Sequence, residues 1–550
     1  MKNIRLIALT AAALILTCSN VASCGGEENP GQEDTYSVSG VILKASEAAP
    51  GENVSFDYLR GEGPELVDKA VLQSVSTGQE YQCRIADVAA KTVTITLPSD
   101  IVSGDYKLFF VHGGKSYQVP GSFKLSVRSD AEVKPADGAT VYGIVHCGGK
   151  GIAGAVVSDG HEVVVTDKDG IYQLKSEKVY NDVALNVFVS TPSGYEPQHD
   201  GILPKNQKLL SKGSAPERVD FELVKTEGQD KHTLLVMGDM HLAKRTNDIN
   251  QFSQFRTEII EYTEAHKSDH VYGLTLGDMS WDLYWYSNSF NLSHYVQTMS
   301  SVKDLIIYHC MGNHDYDINQ AGDDFTTQPY RSIIGPTYYS FNAGKVHYIV
   351  LDDILTKNTG KGTSESRVYS KDINGYQIEW LKKDLQHVSK DTPLVITLHG
   401  PVFTATGGNS CASSAVNSLL SAISGYKTHI FSGHTHVVYN VDQFDNKGYY
   451  EHNSGAVCAT WWWSGYHNPG INISTDGTPG GYYIVDVNGK DFKWQYKSTG
   501  KDLSHQMRAY DRNSLTLTAD IYCPKATDAR KAAFNGDASD WADRKSDNMV

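Results

Sequence analysis

The order of apolar and polar positions divides the chain into a β-rich first part and a mixed second part. Short alternating segments such as YSVSGVILKA, KTVTITLP and GDYKLFFVHGGKSYQVPGSFKLSV, separated by turn residues, predict a small β-sandwich over residues 36–130. A second β-rich unit is predicted over residues 138–225. Its TDKDG segment and the earlier GGKS at residues 113–116 lack the further residues of calcium and phosphate loops, so we interpret both as turns.

The pattern changes at HTLLVMGDMH, where continuous apolar runs begin to alternate with segments of helical spacing. Strands are predicted at VYGLTLGD, LIIYHC, PLVITLHG and THIFSG, and helices at NQFSQFRTEIIEYTEAHK and GYQIEWLKKDLQHV. This alternation predicts a layered α/β core over residues 230–490. The pattern becomes β-like again in DFKWQYKS and LTLTADIYC, which predicts a C-terminal β domain over residues 491–550. The chain is therefore expected to be a multidomain α/β and β protein.

Composition and charge narrow the function. A chain of 550 residues is too long for a single hydrophobic core, and its 40% hydrophobic content is enough for several folded domains. The formal net charge of -15 repels polyanions, so we expect no nucleic-acid partner. The eight cysteines are scattered without a Cys-x-x-Cys pair, which excludes a zinc knuckle and disfavours a dense disulfide framework.

The N-terminus has the pattern of a targeting segment. Residues 1–23 combine a basic start with a short apolar run and predict a signal peptide. VASC, which ends at Cys24, resembles the bacterial lipobox, in which the cysteine is lipidated; Cys18 is a weaker candidate, and cleavage without a lipid is the alternative. Residues 24–35 then form an acidic tether. We therefore expect a cell-envelope lipoprotein of a Gram-negative bacterium, periplasmic or surface-anchored, that contacts the membrane only through its lipid.

Five strand ends in the predicted core carry residues that can bind metals. They are VMGDMH with Asp239 and His241, TLGD with Asp278, CMGNHD with Asn313, His314 and Asp315, ITLHG with His399, and FSGHTH with His434 and His436. The carboxyl ends of strands in open α/β sheets line the crevice where ligands bind. In four of these segments a glycine directly precedes the first metal-binding residue. This predicts sharp turns that direct the side chain of that residue into the crevice.

The order D-x-H, G-D, G-N-H-D, H and G-H-T-H resembles the calcineurin-like metallophosphoesterase superfamily over residues 232–490. The resemblance implies a four-layer α/β/β/α core. A bacterial subset also has an N-terminal transthyretin-like domain, which the unit at residues 138–225 resembles, and a C-terminal β domain. Relatives tend to have a longer C-terminal domain, so completeness of the segment that ends at Val550 is left open.

The resemblance also implies roles for these residues. One metal would be bound by Asp239, His241, Asp278 and His436, and the second by Asp278, Asn313, His399 and His434, with Asp278 bridging them. Imidazole, carboxylate and amide ligands suit iron, zinc or manganese, and the identity of the two metals is left open. Two such metals activate a shared water as the nucleophile for displacement at phosphorus. His314 would contact the phosphate or protonate the leaving oxygen, with Asp315 orienting its ring.

Two features bear on the substrate. Many relatives read G-D-x-x-D-R, whereas GDMSWDL has Trp281 at the second acidic position, Asp282 one residue later and no arginine, which counts against protein phosphatase activity. The aromatic residues Trp281, Tyr284, Trp285 and Trp462 follow metal-binding segments and are candidates for a substrate pocket. The alternative is that they pack between core layers.

We therefore expect a metal-dependent hydrolase of phosphate esters, with phosphodiesters slightly favoured over monoesters. The alternative is a catalytically inert binding or scaffold lipoprotein on the cell surface. Loss of ligands would mark such an inert protein, and every one of the seven ligand positions is filled here, as is His314. The oligomeric state cannot be inferred from these patterns.

Overall fold

The computed structural model describes residues 40–58 except 45, 67–98 except 90, 100–127, 133–245, 247–462 and 473–507. The predictions for the signal peptide, the lipidation of Cys24 and the acidic tether concern residues outside this set, as does the LTLTADIYC segment. No helix within the described ranges is long and apolar enough to cross a membrane.

The first unit is a sheet of short, mostly antiparallel strands around its own apolar core. The strands are β1 (Val41–Leu43), β2 (Glu47–Ala48), β3 (Asn53–Tyr58), β4 (Lys69–Ser74), β5 (Glu80–Ala89), β6 (Thr92–Thr96), β7 (Gly104–His112), β8 (Lys115–Gln118) and β9 (Phe123–Val127). They pair in the order β1-β3-β6-β5-β4-β7-β9-β2, with β8 on β7. Gly113 and Gly114 join β7 to β8 with φ of 56° and 78°. These two residues of the GGKS segment form a hairpin turn, as predicted.

The second unit has a six-stranded and a four-stranded sheet that enclose a separate apolar cluster, and two further pairs of short strands. Its strands are β10 (Val141–Cys147), β11 (Lys150–Gly151), β12 (Val156–Ser158), β13 (Val163–Val165), β14 (Ile171–Leu174), β15 (Val179–Tyr180), β16 (Val183–Ala184), β17 (Asn186–Ser190), β18 (Tyr195–Pro197), β19 (His199–Asp200), β20 (Leu203–Pro204), β21 (Gln207–Leu209), β22 (Glu217–Arg218) and β23 (Phe221–Lys225). In TDKDG, Asp167 Oδ1 accepts hydrogen bonds from the Asp169 and Ile171 amides, both at 2.9 Å. This segment is therefore a turn, as predicted.

The third unit contains two larger sheets and most of the helices. Its strands are β24 (Lys231–Met237), β25 (His270–Thr275), β26 (Ile306–Tyr308), β27 (Tyr339–Ala343), β28 (Val346–Val350), β29 (Ile354–Thr356), β30 (Tyr369–Lys371), β31 (Leu394–Thr397), β32 (Thr428–Ser432), β33 (Tyr439–Gln443), β34 (Tyr449–Asn453), β35 (Gly481–Asn488) and β36 (Asp491–Ser498). Its helices are α1 (Asp248–Ala265), α2 (Leu292–Thr298), α3 (Asp323–Thr326), α4 (Gln328–Ile333), α5 (Gly375–Asp384), α6 (Ser413–Ala422) and α7 (Phe444–Lys447). The sheet orders are β26-β25-β24-β35-β36 and β27-β28-β31-β32-β34-β33.

The alternation of side chains along β24 explains how these sheets pack. Leu234 and Val236 belong to a buried cluster that also contains side chains of the β27–β34 sheet. Leu235 and Met237 point the opposite way and join a second cluster with side chains of α1 and α2, including Phe252. A strand that is buried on both faces needs apolar residues at every position, which is why the buried end of β24, LLVM at residues 234–237, is a continuous apolar run.

The second unit docks against the edge strands of both core sheets. The Ile307 amide in β26 donates to the Ile202 carbonyl at 2.9 Å, and the Asn342 amide in β27 donates to the Thr191 carbonyl at 2.9 Å. Ser340 Oγ also donates to Ser190 Oγ at 2.9 Å. These contacts cover two strand edges that would otherwise expose unpaired backbone groups.

The predicted boundary after residue 490 is wrong. The structure places β36 as an edge strand of the core, because it pairs along its length with β35, which in turn pairs antiparallel with β24. A boundary at residues 490 and 491 would therefore divide a hairpin. The alternating pattern of DFKWQYKS predicts a strand but does not show which sheet it joins.

The buried His232 provides a prediction on acid stability. Its Nδ1 contacts the Gln229 carbonyl at 2.7 Å and its Nε2 contacts the Tyr348 hydroxyl at 2.5 Å. Burial lowers the pKa of His232 from 6.5 to about 4, so between these values the unfolded chain binds more protons than the folded one. The stability that depends on neutral His232 is present above pH 6.5 and is lost as the pH falls towards 4, by up to about 1.4 kcal/mol per pH unit.

The test compares wild type with His232→Gln in chemical denaturation at pH 7.5, 6 and 5. We expect the variant to be less stable at pH 7.5, because it loses both contacts of the ring. The difference in the free energy of unfolding should narrow towards pH 5. A difference that is independent of pH would contradict the prediction.

Candidate metal centre

The predicted ligands lie where core strands end, and five of the seven have a left-handed backbone. The φ angles are 54° at Asp239, 46° at His241, 54° at Asp278, 68° at His434 and 59° at His436. Residues other than glycine rarely adopt this conformation. Its recurrence after β24, β25 and β32 shows that the chain turns abruptly at each tip, so that the ligand side chains converge.

Three of the four glycines before these ligands have a different role from the predicted one. A positive φ is found only at Gly277, at 88°, among the four predicted glycines. The other three are needed for space: a Cβ on Gly312 would lie 2.3 Å from the Asp278 amide nitrogen, and one on Gly433 would lie 2.6 Å from Asp239 Oδ2. Neighbouring strand tips therefore approach more closely than side chains would allow.

One group of donor atoms surrounds His241. Its Nε2 lies 3.0 Å from His436 Nε2, 3.5 Å from Asp278 Oδ2 and 3.7 Å from Asp239 Oδ1. His436 Nε2 is also 3.2 Å from Asp239 Oδ1. Four donors about 2.1 Å from one ion in a tetrahedron would be separated by about 3.4 Å. These four side chains are the set predicted for the first metal.

A second group surrounds His399. Its Nε2 lies 2.8 Å from Asn313 Oδ1, 3.1 Å from His434 Nδ1 and 3.3 Å from Asp278 Oδ2. Oδ2 of Asp278 thus lies near His241 in the first group and near His399 in the second. The structure therefore brings together all seven predicted ligands, with Asp278 between the two sets.

The hydrogen bonds of the imidazoles suit metal binding. His436 Nδ1 and His399 Nδ1 each lie 2.7 Å from a backbone carbonyl oxygen, of Ala459 and Leu276 respectively. A carbonyl only accepts, so each Nδ1 carries a proton, and each Nε2, which points into its donor group, is the nitrogen that would bind a metal. The Nε2 atoms of His436 and His399 lie 3.0 and 3.1 Å from a nitrogen of a second imidazole, that of His241 and His434 respectively, so each donor group contains two imidazole nitrogens. The donor set therefore fits zinc, iron or manganese.

Charges within the centre keep its carboxylates ionised. Burial would raise the pKa of Asp278, but the nearby His399 and His314 lower this pKa well below its usual value. Burial lowers the pKa of His399, yet the adjacent carboxylates, Asp278 above all, raise it to about 10. A metal that binds here must displace the proton of His399, which makes metal affinity depend on pH.

His314 is held by a carboxylate other than the predicted one. Its Nδ1 lies 2.6 Å from Oδ1 of the buried Asp282, not next to Asp315. Asp315 instead accepts backbone hydrogen bonds from Ser280 and Gly312, both at 3.0 Å. The role predicted for Asp315 is therefore corrected: it ties two strand tips together. Burial, followed by the nearby Asp278, raises the pKa of Asp315 to about 7.

A guanidinium that sequence analysis missed completes this arrangement. Arg367 lies two residues before the start of β30, and its Nε donates to Asp282 Oδ2 at 2.7 Å. Its Nη2 donates to the Asn313 carbonyl at 2.6 Å and lies 3.1 Å from His314 Nδ1. No local motif around ESRVYS marks this residue, since its partners lie 54 and 85 positions away.

Three segments of the chain match calcineurin-like phosphoesterase families. Residues 139–226 match the N-terminal region of these proteins, residues 232–438 match the calcineurin-like phosphoesterase itself, and residues 451–542 match its C-terminal region. Together they cover more than two thirds of the chain. This protein belongs to the calcineurin-like phosphoesterases.

Individual relatives of this calcineurin-like phosphoesterase are distant. Purple acid phosphatase 15 of Arabidopsis thaliana is 28% identical over 171 residues, which are 28% of this chain and 27% of that protein. The match thus spans about a quarter of that relative's length. Among solved structures, purple acid phosphatase PPD1 from yellow lupin seeds is similar with a TM-score of 0.35 and 11% identity, covering 84% of this chain and 94% of the other. A dimetal phosphatase from Danio rerio has a TM-score of 0.31 and 13% identity, covering 48% of this chain and 98% of the other.

Family membership confirms the recognition made from the strand-end motifs. The predicted enzyme class, a phosphoric ester hydrolase, and the expected dinuclear metal centre agree with that family, and the structure offers two donor groups for metals. The mixed α/β fold of the core agrees with the same family.

The predicted aromatic pocket divides into two pairs. Trp285 and Trp462 are buried among the α1 and α2 side chains, where their Nε1 atoms donate to Ser280 Oγ and the Met240 carbonyl at 2.9 and 2.7 Å. They pack in the core and are not available to a substrate. Trp281 and Tyr284 are partly exposed, and Trp281 contacts His241 and His314. Trp281 therefore lies beside the centre and Tyr284 lies beside Trp281, and a substrate role for these two stays a prediction.

Removal of the Arg367 guanidinium is expected to lower activity without removing metal. Arg367→Gln should reduce kcat towards phosphate esters by about tenfold, because Asp282, which orients His314, loses a charged hydrogen-bond partner worth about 1.5–3 kcal/mol. Arg367→Lys should recover part of the loss, since a lysine keeps the charge but not the fork of donors. Steady-state kinetics with metal analysis checks this, and exposed Lys361→Gln is the control. Equal activity in wild type and Arg367→Gln would contradict it.

Proposed function

We propose that this calcineurin-like phosphoesterase hydrolyses phosphate esters at the two donor groups. The observation that carries the proposal is the position of Asp278, whose Oδ2 lies 3.5 Å from His241 Nε2 and 3.3 Å from His399 Nε2. A single carboxylate oxygen that serves two histidine-rich donor groups is suited to a pair of metals acting on one phosphate. The inert scaffold is disfavoured, because every predicted ligand is present and within reach of its group.

The residues of each group would hold one metal ion. Asp239, His241, His436 and Asp278 supply the first set of donors, and Asn313, His399, His434 and Asp278 supply the second. When bound, two such ions polarise phosphoryl oxygens and lower the pKa of a water molecule, which supplies the nucleophile.

His314 supplies the proton-transfer group of this proposal. Its Nδ1 is engaged by Asp282, so Nε2 is the nitrogen that exchanges a proton with the leaving oxygen. The buried carboxylate of Asp282 fixes the ring and favours the tautomer with a proton on Nδ1. Arg367 in turn fixes the carboxylate of Asp282. The chain thus orients its acid–base group through two charged neighbours.

Phosphodiesters remain the first candidate among the ester classes. The missing arginine after GDMSWD favours diesters slightly, but this argument is weakened because Arg367 brings a guanidinium beside His314 from another segment. What still supports diesters is the partly exposed aromatic surface next to the centre, which offers contacts to an organic group beyond the phosphate. Monoesters are the second candidate.

The proposal also includes the location of the protein in the cell and the order of the layers in its core. The sequence of residues 1–35 supports a lipid-anchored protein of the cell envelope with Cys24 as the anchor. The two buried clusters on opposite faces of β24 support the four-layer α/β/β/α order that the resemblance implies.

The test compares hydrolysis of bis-p-nitrophenyl phosphate and p-nitrophenyl phosphate by metal-analysed protein. Wild type should contain about two metals per chain and should turn over the diester faster. Asn313→Ala should lose metal and activity, whereas the exposed Asn409→Ala, as matched control, should retain both. A metal-loaded wild type that hydrolyses neither ester would overturn the assignment to simple esters, and a protein that binds no metal after reconstitution would favour the scaffold.

A further inference from the structure

The indoles of Trp281 and Trp461 form one side of the metal centre, and we call this pair the indole wall. Their ring centroids are 4.8 Å apart, with 31° between the planes. Trp461 lies 4.4 Å from the ring of His241 and 4.8 Å from that of His436, and Trp281 lies 5.5 Å from His314. Both indoles are partly exposed and lie beside three histidines of the centre.

The backbone that presents Trp461 is strained and firmly held. Ala459, Trp461 and Trp462 have φ angles of 48°, 57° and 62°, an unusual run for residues other than glycine. The segment is anchored because the Trp462 amide donates to the Cys458 carbonyl at 3.0 Å and its indole donates to the Met240 carbonyl at 2.7 Å. Strained conformations that their surroundings enforce are concentrated at ligand clamps and active sites.

Arg245 joins the two indoles of the wall. Its guanidinium lies 4.4 Å from the Trp281 ring centroid, within cation–π range, and its Nη2 donates to the Trp461 carbonyl at 3.0 Å. One cation therefore holds both tryptophans in place. It also adds positive charge next to a site whose substrate carries a phosphate.

The opposite side of the centre has a different character. The rings that contact His434 are those of His399 and Tyr369, at 4.9 and 6.1 Å. Within the described ranges, no tryptophan ring contacts either histidine of this second group. The surroundings of the centre are therefore asymmetric, and the indole wall is the side suited to an apolar, planar group.

We propose that the indole wall binds a planar aromatic group of the substrate, a nucleobase or an aryl ring, while the attached phosphate lies at the two donor groups. This inference rests on the proposed phosphoesterase function and names its substrate class. Stacking of a base on an aromatic side chain typically changes affinity by about 5- to 150-fold. A ligand with such a group should therefore bind more tightly than the same phosphate without it.

The experiment compares two pairs of ligands of the metal-loaded protein: adenosine 5′-monophosphate with ribose 5-phosphate, and phenyl phosphate with glycerol phosphate. Dissociation constants come from calorimetry and inhibition constants from bis-p-nitrophenyl phosphate hydrolysis. We expect adenosine 5′-monophosphate to bind about tenfold more tightly than ribose 5-phosphate, which has the same sugar and phosphate. Phenyl phosphate, compared with glycerol phosphate, shows whether an aryl ring suffices or a nucleobase is needed.

Variants locate the preference on the wall. Trp461→Leu and Trp281→Leu should each reduce the tenfold ratio to about one to three, while Tyr286→Leu, an exposed aromatic residue of the same segment as Trp281, should keep it. Equal binding of adenosine 5′-monophosphate and ribose 5-phosphate by the wild type would overturn the inference, and this result does not depend on any variant folding. An unchanged ratio in both tryptophan variants would also overturn it. Failure to hydrolyse any ester would refute the proposed function alone, since calorimetry still measures the ratio.

Discussion

Asp278→Asn is expected to remove both metals and to lower kcat/KM for phosphate esters by about a thousandfold or more. The Oδ2 atom lies within 3.5 Å of a histidine nitrogen in each donor group, so one substitution reaches both sites. An amide nitrogen at this position does not bind a metal, and the loss of one negative charge weakens both sites further. Metal analysis and steady-state kinetics on the same preparation measure the two effects.

The asparagine retains one structural contact of the aspartate. Asp278 Oδ1 accepts a hydrogen bond from the His314 amide at 2.7 Å, and the amide oxygen of Asn can accept the same bond. The expected loss is therefore one of metal binding rather than of local structure. Asp317→Asn is the matched control, because this buried aspartate bonds to the Asn319 amide and the Tyr286 hydroxyl, away from both groups. Two metals and wild-type activity in Asp278→Asn would contradict the bridging role.

The ligands of the centre could be predicted because each is encoded locally. GD, GNHD and GHTH place a metal-binding side chain directly after an apolar strand, and the carboxyl ends of parallel strands meet at one edge of a sheet. The sequence does not show that three of these glycines are needed because neighbouring strand tips lie close together. A glycine that makes room, such as Gly312 beside Asp278, has the same signature in sequence as a glycine that supplies a turn.

Contacts between distant segments account for what the sequence did not reveal. Arg367 reaches Asp282 across 85 positions, and nothing in the residues around it marks that contact. The position of β36 at the edge of the core likewise depends on which strand it pairs with, and strand pairing is not local. Trp461 and Trp462 are adjacent and identical in type, yet one lines the centre and the other is buried, because their left-handed backbone sets the direction of each ring.

His314→Gln is expected to separate chemistry from metal binding. Both donor groups remain intact in this variant, so about two metals per chain should be retained. Loss of a general acid costs about 10²- to 10⁴-fold in kcat. The reason for expecting this role is the Asp282 contact at 2.6 Å, which orients the imidazole beside the donor groups. Metal analysis and kcat for a series of phosphate esters measure the outcome.

A comparison of esters with different leaving groups shows whether His314 donates a proton or only binds the substrate. A p-nitrophenolate leaves readily without a proton, whereas an alkoxide does not, so the loss in His314→Gln should be clearly larger for alkyl esters. Asp282→Asn should show the same trend with a smaller loss, because the ring remains but its orienting charge is gone. The exposed His387→Gln is the matched control and should behave as wild type. An equal loss for all leaving groups would assign His314 to substrate binding, since only a proton donor responds to the basicity of the leaving oxygen.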